Sequence, residues 1–269
     1  MSSIFRTIVP LSLLTALFLG IGYYFAGTDG VLTGLVFALV TNFFAYWFSD
    51  KIVLGIYGAK KMTGNAKLYE TVNRLCAKAG VPAMPVYYIN TDVPNAFATG
   101  RDPGHAAIAV TKGLLETLKE KEIEGVLAHE IGHVKNRDTL ISTVAAVLAG
   151  ALTWLSYAFM FGDRENKNAL GYVLLFFLAP LAATVLRLSI SRGREFEADR
   201  FGAGIASPLD LASALEKISA SVAARPMKGD AAMSALFIVN PFNASSLESL
   251  FSTHPPVKER VAILRKMAK

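Results

Sequence analysis

Four long apolar stretches, almost free of charged residues, constrain this sequence more than any other feature. They lie at about Thr7–Ala26, Val31–Phe48, Thr139–Gly162 and Ala169–Leu186. The turn-forming residues Gly27–Gly30, which include Asp29, separate the first two. A helix needs about 20 apolar residues to cross a bilayer, so we predict four transmembrane helices in two hairpins. A cleaved signal peptide is the alternative for the first stretch, but its apolar part is too long and a second stretch follows at once.

The overall composition supports membrane insertion. Hydrophobic residues make up 53% of the 269 residues and charged residues 18%, with a mean hydropathy of +0.41. Soluble globular proteins carry about 25% charged residues, so we expect neither a soluble nor a disordered chain. The single cysteine, Cys76, excludes an intrachain disulfide framework and a multi-cysteine zinc site. The net charge of +6 does not indicate nucleic-acid binding, because basic residues of apolar chains collect beside membrane spans.

Basic residues near the ends of the predicted spans give the orientation. One side holds Arg6, Lys51, Lys60, Lys61, Lys135, Arg137, Arg187, Arg192 and Arg194. The two short loops on the other side hold only Arg164 and Lys167. By the positive-inside rule, both termini and the polar part of the chain lie in the cytoplasm. The expected location is therefore the cytoplasmic (inner) membrane, as a multi-pass protein.

The polar residues form two segments that the second hairpin separates. We therefore divide the chain into residues 1–50 with the first two membrane helices, 51–138 with the first part of a cytoplasmic domain, 139–190 with the last two membrane helices, and 191–269 with the second part. The two polar parts together hold enough residues for one domain. Residues 225–252 are rich in Met and Phe and form either a flap or a membrane-facing loop.

Periodic apolar residues predict helices and strands in the polar segments. An apolar helical stripe from Leu68 to Ala79 contains Cys76 as a core residue and ends at Gly80. Strands are predicted at Met84–Ile89, Asn95–Thr99 and His105–Val110, and the last two form a hairpin around Gly100–Gly104, which indicates a small antiparallel sheet. Further helices are predicted at Leu114–Lys119, from about Glu122, and at Arg194–Phe201, Pro208–Ala224 and Pro256–Met267.

The helix predicted from about Glu122 contains the sequence His-Glu-Ile-Gly-His at residues 129–133. Residues four apart share a helix face, so His129 and His133 can bind one metal ion. Glu130 flanks that face and can act as general base for a water molecule that attacks a carbonyl group. Two surface histidines beside an incidental glutamate are the alternative, but the spacing is typical of zinc metallopeptidases.

A catalytic zinc ion usually has three protein ligands and one open position, so a third ligand is required. The best source is the acidic segment 195–199. Glu195 and Asp199 lie four residues apart on one helix face, where one can bind the metal and the other can orient a ligand histidine. Glu197 is a further candidate ligand. A solvated acidic helix beside neighbouring arginines is the alternative interpretation.

The predicted topology favours the metal site. His133 lies five residues before Asp138, where the third span begins, and Glu195 lies five residues after Ile190, where the fourth ends. At 1.5 Å per residue, both lie roughly 8–10 Å from the membrane, on its cytoplasmic side. The two motif helices are therefore expected side by side, at the two ends of one hairpin.

Together these residues resemble the HtpX-type membrane zinc metallopeptidases, which are related to the CaaX-prenyl endopeptidases. The resemblance covers nearly the whole chain. It rests on Pro94–Gly100, the HExxH helix, Glu195–Ala203, and Thr253–Pro256 with Arg260. The expected fold is an α-helical membrane protein with four transmembrane helices. Its cytoplasmic metallopeptidase domain is expected to be mainly α, α+β and zincin-like.

The resemblance also implies roles for individual residues. His129, His133 and Glu195 are expected to bind one Zn²⁺ ion per chain, with Glu130 as the general base. Asp199 is expected to orient a ligand histidine without touching the metal. These assignments make the site a catalytic one at the membrane surface.

Two further groups of residues gain a role from the same resemblance. The late pair His254 and Arg260 is expected near the active site, where one of them stabilises the oxyanion. Asn95, Ala96, Phe97 and Ala98 are expected to form the edge strand along which the substrate backbone pairs. A helix-start residue and an ordinary edge strand are the respective alternatives.

The predicted function is hydrolysis of peptide bonds in misfolded or damaged membrane proteins, which serves membrane protein quality control. The CaaX-prenyl branch has more spans than the four predicted here, so processing of prenylated tails is not expected. A non-catalytic membrane chaperone or scaffold that zinc stabilises is the alternative, but a structural site needs no base such as Glu130. A transporter is disfavoured because the spans hold almost no ionisable residues.

Overall fold

The structure is a computed structural model that describes residues 3–144, 192–224, 237–238 and 255–268. Its helices in these ranges are α1 (Ser3–Trp47), α2 (Ser49–Ile56), α3 (Ala66–Ala79), α4 (Lys112–Thr117), α5 (Glu120–Lys135), α6 (Arg192–Ile205), α7 (Pro208–Ala224) and α8 (Val257–Met267). Residues 138–144 are helical as well. The strands are β1 (Lys60–Lys61), β2 (Val86–Ile89), β3 (Ala96–Gly100) and β4 (Ala106–Thr111). Most of the third predicted span, all of the fourth, and His254 lie outside the described residues.

Helix α1 consists of two antiparallel arms joined by a kink at Ala26–Gly27, close to the predicted turn. The arms approach each other at Gly22 and Gly30, where an added Cβ would overlap the backbone of the opposite arm. Asn42 in the second arm donates a hydrogen bond from Nδ2 to Thr15 Oγ1 in the first at 2.9 Å. The first two predicted membrane helices therefore pack as a hairpin.

One segment of the described residues, Ala26–Trp47, is long and apolar enough to cross a membrane. The apolar part of the first arm, Leu14–Tyr24, is shorter than a usual span. The second arm exposes large apolar side chains such as Phe37, Leu39 and Phe43, an arrangement typical of contact with lipid or with another apolar element. The described residues thus supply one clear span, and the four-helix topology stays a prediction.

The sheet is mixed, and the prediction of an antiparallel sheet is wrong in this respect. Its strand order is β1-β2-β4-β3, with β2 and β4 parallel and the two outer pairs antiparallel. After β2 the chain crosses to the far edge, runs back as β3, and turns at residues 101–105 into β4, which fills the gap beside β2. The predicted hairpin is confirmed, but the strand that closes the gap has to run parallel to β2.

Apolar residues cover both faces of the sheet. Alternate residues such as Val86 and Ile108 face the main core, which also takes the inner faces of α3, α5, α7 and α8. The opposite face carries Phe97 and Ala109, which pack against Val53 of α2. Burial on both sides explains why β4 is apolar from Ala106 to Val110 and buried along its whole length.

Local sequence signals set the helix ends close to the predicted positions. Asn65 accepts the Leu68 N–H through its side chain at the start of α3, and Gly80 ends that helix with φ of 69°. Ser207 Oγ accepts the Asp210 N–H at the start of α7 and so caps that helix.

Candidate metal centre and active site

Helix α5 carries the HExxH residues through the middle of the main core. Its first turn is fixed by Glu122, whose carboxylate accepts the Lys119 N–H and the Lys217 ammonium, each at 2.7 Å. Val126 and Ile131 are fully buried further along the helix. The helix is therefore held at both its start and its centre, and the motif residues project from a rigid support.

Helix α6 lies directly against α5, as the sequence predicts. A Cβ added at Gly202 would lie 2.9 Å from the backbone nitrogen of His129, so only a residue without a side chain fits there. A Cβ added at Gly132 would lie 3.4 Å from the Cα of Ala198. This close approach brings the acidic residues of α6 to the histidines of α5.

Three of the predicted ligands lie together. His129, His133 and Glu195 each offer a ligand atom, and these atoms lie within 4.8 Å of one another. The two Nε2 atoms are 3.2 Å apart, and Glu195 Oε1 lies 3.3 Å from Nε2 of His133. Glu197, the alternative ligand, is exposed on α6. The geometry therefore favours Glu195 over Glu197 as the third ligand, and the assignment stays a prediction.

The ring of His129 is oriented by Asp199. Its Nδ1 lies 2.9 Å from Asp199 Oδ1, which leaves Nε2 directed at the cluster. Asp199 also accepts two hydrogen bonds from Arg260, at 2.8 Å from Nε and 2.7 Å from Nη2. Burial disfavours the carboxylate, but the bonds from Arg260 and His129 lower the pKa of Asp199 to about 2.

The ring of His133 has a matching support that the sequence analysis missed. Its Nδ1 lies 3.3 Å from Asp138 Oδ2, and Asp138 Oδ1 accepts a bond from Arg194 Nη1 at 3.1 Å. Burial opposes the charged imidazole, but the hydrogen bonds with Asp138 and Glu195 raise the pKa of His133 to about 10. A metal ion bound at Nε2 would take the place of the proton there.

The sequence contains one signal for this support. Asp138 and Arg194 mark the ends of the predicted second hairpin, and we interpreted them only as boundary charges. Charged residues at the two ends of one hairpin, each near a motif, are expected to meet if the motifs meet. The carboxylate at position 138 was therefore available as a partner for His133.

Arg260 lies beside the candidate metal ligands: its Nη1 is 3.4 Å from Glu195 Oε2, and its Nη2 is 3.4 Å from His129 Nε2. Its side chain is fully buried, and besides Asp199 it donates from Nη1 to the carbonyl oxygen of Ile238 at 3.1 Å. Asn95 binds the same residue from the other side, because its Oδ1 accepts the Ile238 N–H at 3.1 Å. Arg260 and the Asn95 side chain thus bind the protein itself in this arrangement.

Glu130 lies beside the cluster and faces strand β3. Its Oε2 accepts the N–H of Ala98 at 3.0 Å. Burial raises the pKa of the Glu130 carboxyl, with His129 and His133 acting in the opposite direction. A raised pKa suits a group that takes up a proton and passes it on.

Strand β3 forms one edge of the sheet, as expected for the segment from Asn95 to Ala98. Ala98 directs its N–H away from β4, and by the alternation of an antiparallel pair Ala96 does the same. The ring of Phe97 lies on the opposite face, 5.2 Å from the ring centre of Tyr57. The outer backbone groups of β3 therefore lie next to Glu130.

The donor set fits a metal ion. Two imidazole nitrogens and a carboxylate oxygen converge, and both imidazoles have their second nitrogen held by a carboxylate. This is the ligand pattern of metallopeptidase sites with one position left for water or substrate.

Comparison with known proteins gives the family. Residues 63–268 match peptidase family M48. The chain belongs to this family. It is 48% identical over 275 residues to the protease HtpX homolog of Pyrococcus furiosus, which covers 98% of this chain and 95% of that protein. The protease HtpX homologs of Thermococcus sibiricus and Burkholderia ambifaria are 47% and 46% identical, again over 98% of this chain and 95% and 96% of theirs.

A solved structure supports the fold of this M48 peptidase. The crystal structure of S. mikatae Ste24p matches 94% of the chain and 62% of its own length, with a TM-score of 0.55 and 20% identity. The M48 peptidase described here is therefore a membrane-associated metallopeptidase with a Ste24-like, mostly helical fold and a small mixed sheet. The predictions of a metallopeptidase and of the HtpX-type family are confirmed.

Proposed function

We propose that this chain is a zinc-dependent endopeptidase that cuts polypeptides at the cytoplasmic face of the membrane. The observation that carries the proposal is the joint position of His129, His133 and Glu195 beside Glu130 and the edge of β3. The candidate metal ligands, a base and a strand edge for the substrate lie side by side.

His129, His133 and Glu195 would hold the zinc ion, one per chain. A zinc ion bound there supplies a Lewis acid that polarises the scissile carbonyl and acidifies a water molecule. Glu130 takes the proton of the attacking water and delivers it to the leaving amine. Its buried position favours this exchange, because burial raises the pKa of its carboxyl.

The backbone of Asn95–Ala98 would bind the substrate as an added strand. The outward N–H and C=O groups of Ala96 and Ala98 can pair with an extended peptide. A peptide that pairs with Ala98 competes for the N–H that holds Glu130. Substrate binding would therefore release the Glu130 carboxylate for its reaction.

Asp199 would keep His129 in the orientation that presents Nε2, and Arg260 would hold Asp199. We assign Arg260 this positioning role in place of direct contact with the oxyanion, since its guanidinium is buried against Asp199 and Ile238. His254 would then stabilise the oxyanion, a role that rests on the sequence pattern alone.

The membrane arrangement rests on the sequence. We propose four spans, both termini and the active site in the cytoplasm, and a catalytic domain assembled from 51–138 and 191–269. An active site roughly 8–10 Å from the membrane suits misfolded or damaged membrane proteins as substrates, with the lipid bilayer as the second partner. Single-cysteine labelling from each side of sealed vesicles, in a Cys76→Ala background, tests the orientation. Labelling of cysteines at the termini by a reagent applied on the non-cytoplasmic side would refute this orientation.

The catalytic proposal is tested by Glu130→Gln in the detergent-purified protein. We expect loss of cleavage of an unfolded polypeptide with metal content unchanged, while Glu124→Gln, a half-buried residue of α5 that pairs with Arg74, keeps full activity. Cleavage by Glu130→Gln at the wild-type rate would refute the mechanism. A wild-type protein that holds zinc, never cuts, and unfolds on chelation would instead favour the zinc-stabilised chaperone or scaffold.

A further inference from the structure

A cleft lies where the second arm of α1 meets the sheet. We call it the interfacial cleft, and it is lined by Trp47, Phe48, Lys51, Tyr87, Arg101 and His105. Its volume of about 510 Å³ lies in the range of about 300–1,000 Å³ that is usual for small-molecule sites. Tyr87 belongs to the sheet face that packs on α2, opposite the face that packs on α5. The cleft is therefore separate from the metal centre.

The depth of the interfacial cleft follows from α1. The apolar segment that can span the membrane ends at Trp47, and Lys51 follows four residues later, at most about 6 Å along a helix. The headgroup layer on each side of the hydrocarbon is roughly 5–7 Å thick. Lys51 and the mouth of the cleft thus lie at the level of lipid phosphates, where tryptophan is also enriched.

The two cations of the cleft rest on aromatic rings. The guanidinium of Arg101 lies 4.6 Å from the centre of the Trp47 ring, and the ammonium of Lys51 lies 5.4 Å from the centre of the Phe48 ring. A cation held against a ring face keeps its N–H groups at the edge available for an anion. The aromatic rings offer an apolar surface directly beside these donors.

The nearby carboxylates leave this charge largely available. Asp102 Oδ2 lies 3.5 Å from Arg101 Nε, a longer contact than its 3.0 Å to His105 Nδ1. The other oxygen, Oδ1, accepts the N–H groups of Gly104 and His105 at 2.8 and 2.9 Å. Asp50 also lines the cleft. Asp102 is not part of the lining, and within the lining Lys51 and Arg101 outnumber the one carboxylate, Asp50, so the lining attracts an anion that also carries an apolar part.

We propose that the interfacial cleft binds the headgroup of an anionic phospholipid, with the phosphate between Lys51 and Arg101 and the start of the acyl chains against Trp47 and Phe48. The proposal rests on the assignment of α1 to the membrane and does not depend on the catalytic mechanism. The bilayer presents such headgroups at the depth of the cleft, which favours a lipid over a soluble anion.

The test uses Trp47 as the reporter in the full-length protein. The chain contains two tryptophans, so Trp154→Phe leaves Trp47 as the single indole. Its fluorescence is measured in neutral detergent during titration with short-chain phosphatidylglycerol, short-chain phosphatidylcholine and inorganic phosphate. We expect saturable binding of phosphatidylglycerol and at least about fivefold weaker binding of the other two, since each membrane-surface cation contributes about 1 kcal/mol.

Variants assign the binding to the two cations. Arg101→Gln and Lys51→Gln are each expected to weaken phosphatidylglycerol binding about fivefold, while Lys67→Gln, an exposed cation on α3, leaves it unchanged. Lys51→Gln keeps the test valid if Arg101→Gln disturbs Trp47 itself. Equal affinity for both lipids, or wild-type affinity in Lys51→Gln and Arg101→Gln, would overturn the proposal. Inorganic phosphate binding as tightly as phosphatidylglycerol would show a site for free anions and overturn the lipid assignment.

Discussion

The two histidines of the metal centre are supported in the same way but in different surroundings. Each ring is oriented by an aspartate, and each aspartate is held by an arginine: His129 by Asp199 and Arg260, and His133 by Asp138 and Arg194. The first support is at most 1% exposed in its side chains, while the second reaches 15% at His133 and 8% at Asp138 and Arg194. We call them the inner and the outer support.

The difference shows what each support does. The inner support joins α5, α6 and α8 inside the main core, so it stabilises the fold as well as the metal site. The outer support joins the end of α5 to the start of α6, at the two ends of the predicted second membrane hairpin. Its main effect is expected on the metal ligand His133.

Loss of the arginines separates the two supports most strongly. Arg260→Gln leaves the Asp199 charge buried without its cation, and we expect a loss of about 3–5 kcal/mol in the free energy of unfolding. Arg194→Gln removes one hydrogen bond to Asp138, whose side chain is 8% exposed, and we expect a loss of about 1–3 kcal/mol in the free energy of unfolding. Denaturant unfolding of the metal-free proteins in detergent measures both. Equal losses of unfolding free energy in the two variants would show that the two supports do not differ in how much they stabilise the fold.

Loss of the aspartates is expected to weaken metal binding on both sides. Asp199→Asn and Asp138→Asn should each lower metal affinity about 10–100-fold, because an amide no longer fixes the imidazole or increases its basicity. The larger effect is expected for Asp199, whose oxygen lies closer to the ring nitrogen, at 2.9 Å against 3.3 Å. Competition with a chelator of known affinity measures this, with Asp210→Asn on α7 as control. Unchanged affinity in Asp138→Asn would exclude the outer support.

Lowering the pH tests the contribution of the Asp199 charge in the inner support. The pKa of Asp199 is lowered to about 2 from an ordinary 3.8, so its ionised form stabilises the folded protein above pH 3.8. That contribution, about 2 kcal/mol, is lost as the pH falls through about 2. The difference in unfolding free energy between wild type and Asp199→Asn should therefore narrow by this amount from pH 4 to pH 2. A constant difference would show that the Asp199 charge is not stabilised by Arg260 and His129.

An exposed ion pair is expected to contribute least to the free energy of unfolding. Lys67 and Glu120 pair on the surface with side chains 70% and 72% exposed. Lys67→Ala should change the free energy of unfolding by less than about 1 kcal/mol, because solvent screens the pair. A loss as large as that of Arg194→Gln would mean that burial does not govern these pairs.

Local patterns predicted the elements of this fold well. The apolar stripe ending at Gly80 and the HExxH helix depend on residues close in sequence, and the structure confirms them. The mixed sheet was not predicted, because a hairpin pattern fixes the β3–β4 pair but carries no information on which side β2 joins.

The site was predicted where side chains belong to one helix and missed where they meet across the chain. His129 and His133 share α5, and Glu195 and Asp199 share α6, so helical spacing identified them. Asp138 and Arg194 are 56 residues apart, and each has an ordinary role as a charge at a membrane edge. Spacing alone also left Glu195, Glu197 and Asp199 as possible third ligands. Burial and distance separate them, and their catalytic roles stay predictions.

The central claim is that Glu195 completes a metal site with His129 and His133, and one measurement tests it most directly. Metal content per chain is determined for the wild type, Glu195→Ala and Glu197→Ala after identical purification and dialysis. Glu197 is exposed on the same helix and is the matched control. We predict one metal ion in the wild type and in Glu197→Ala and a marked loss in Glu195→Ala. Full metal content in Glu195→Ala would contradict the account.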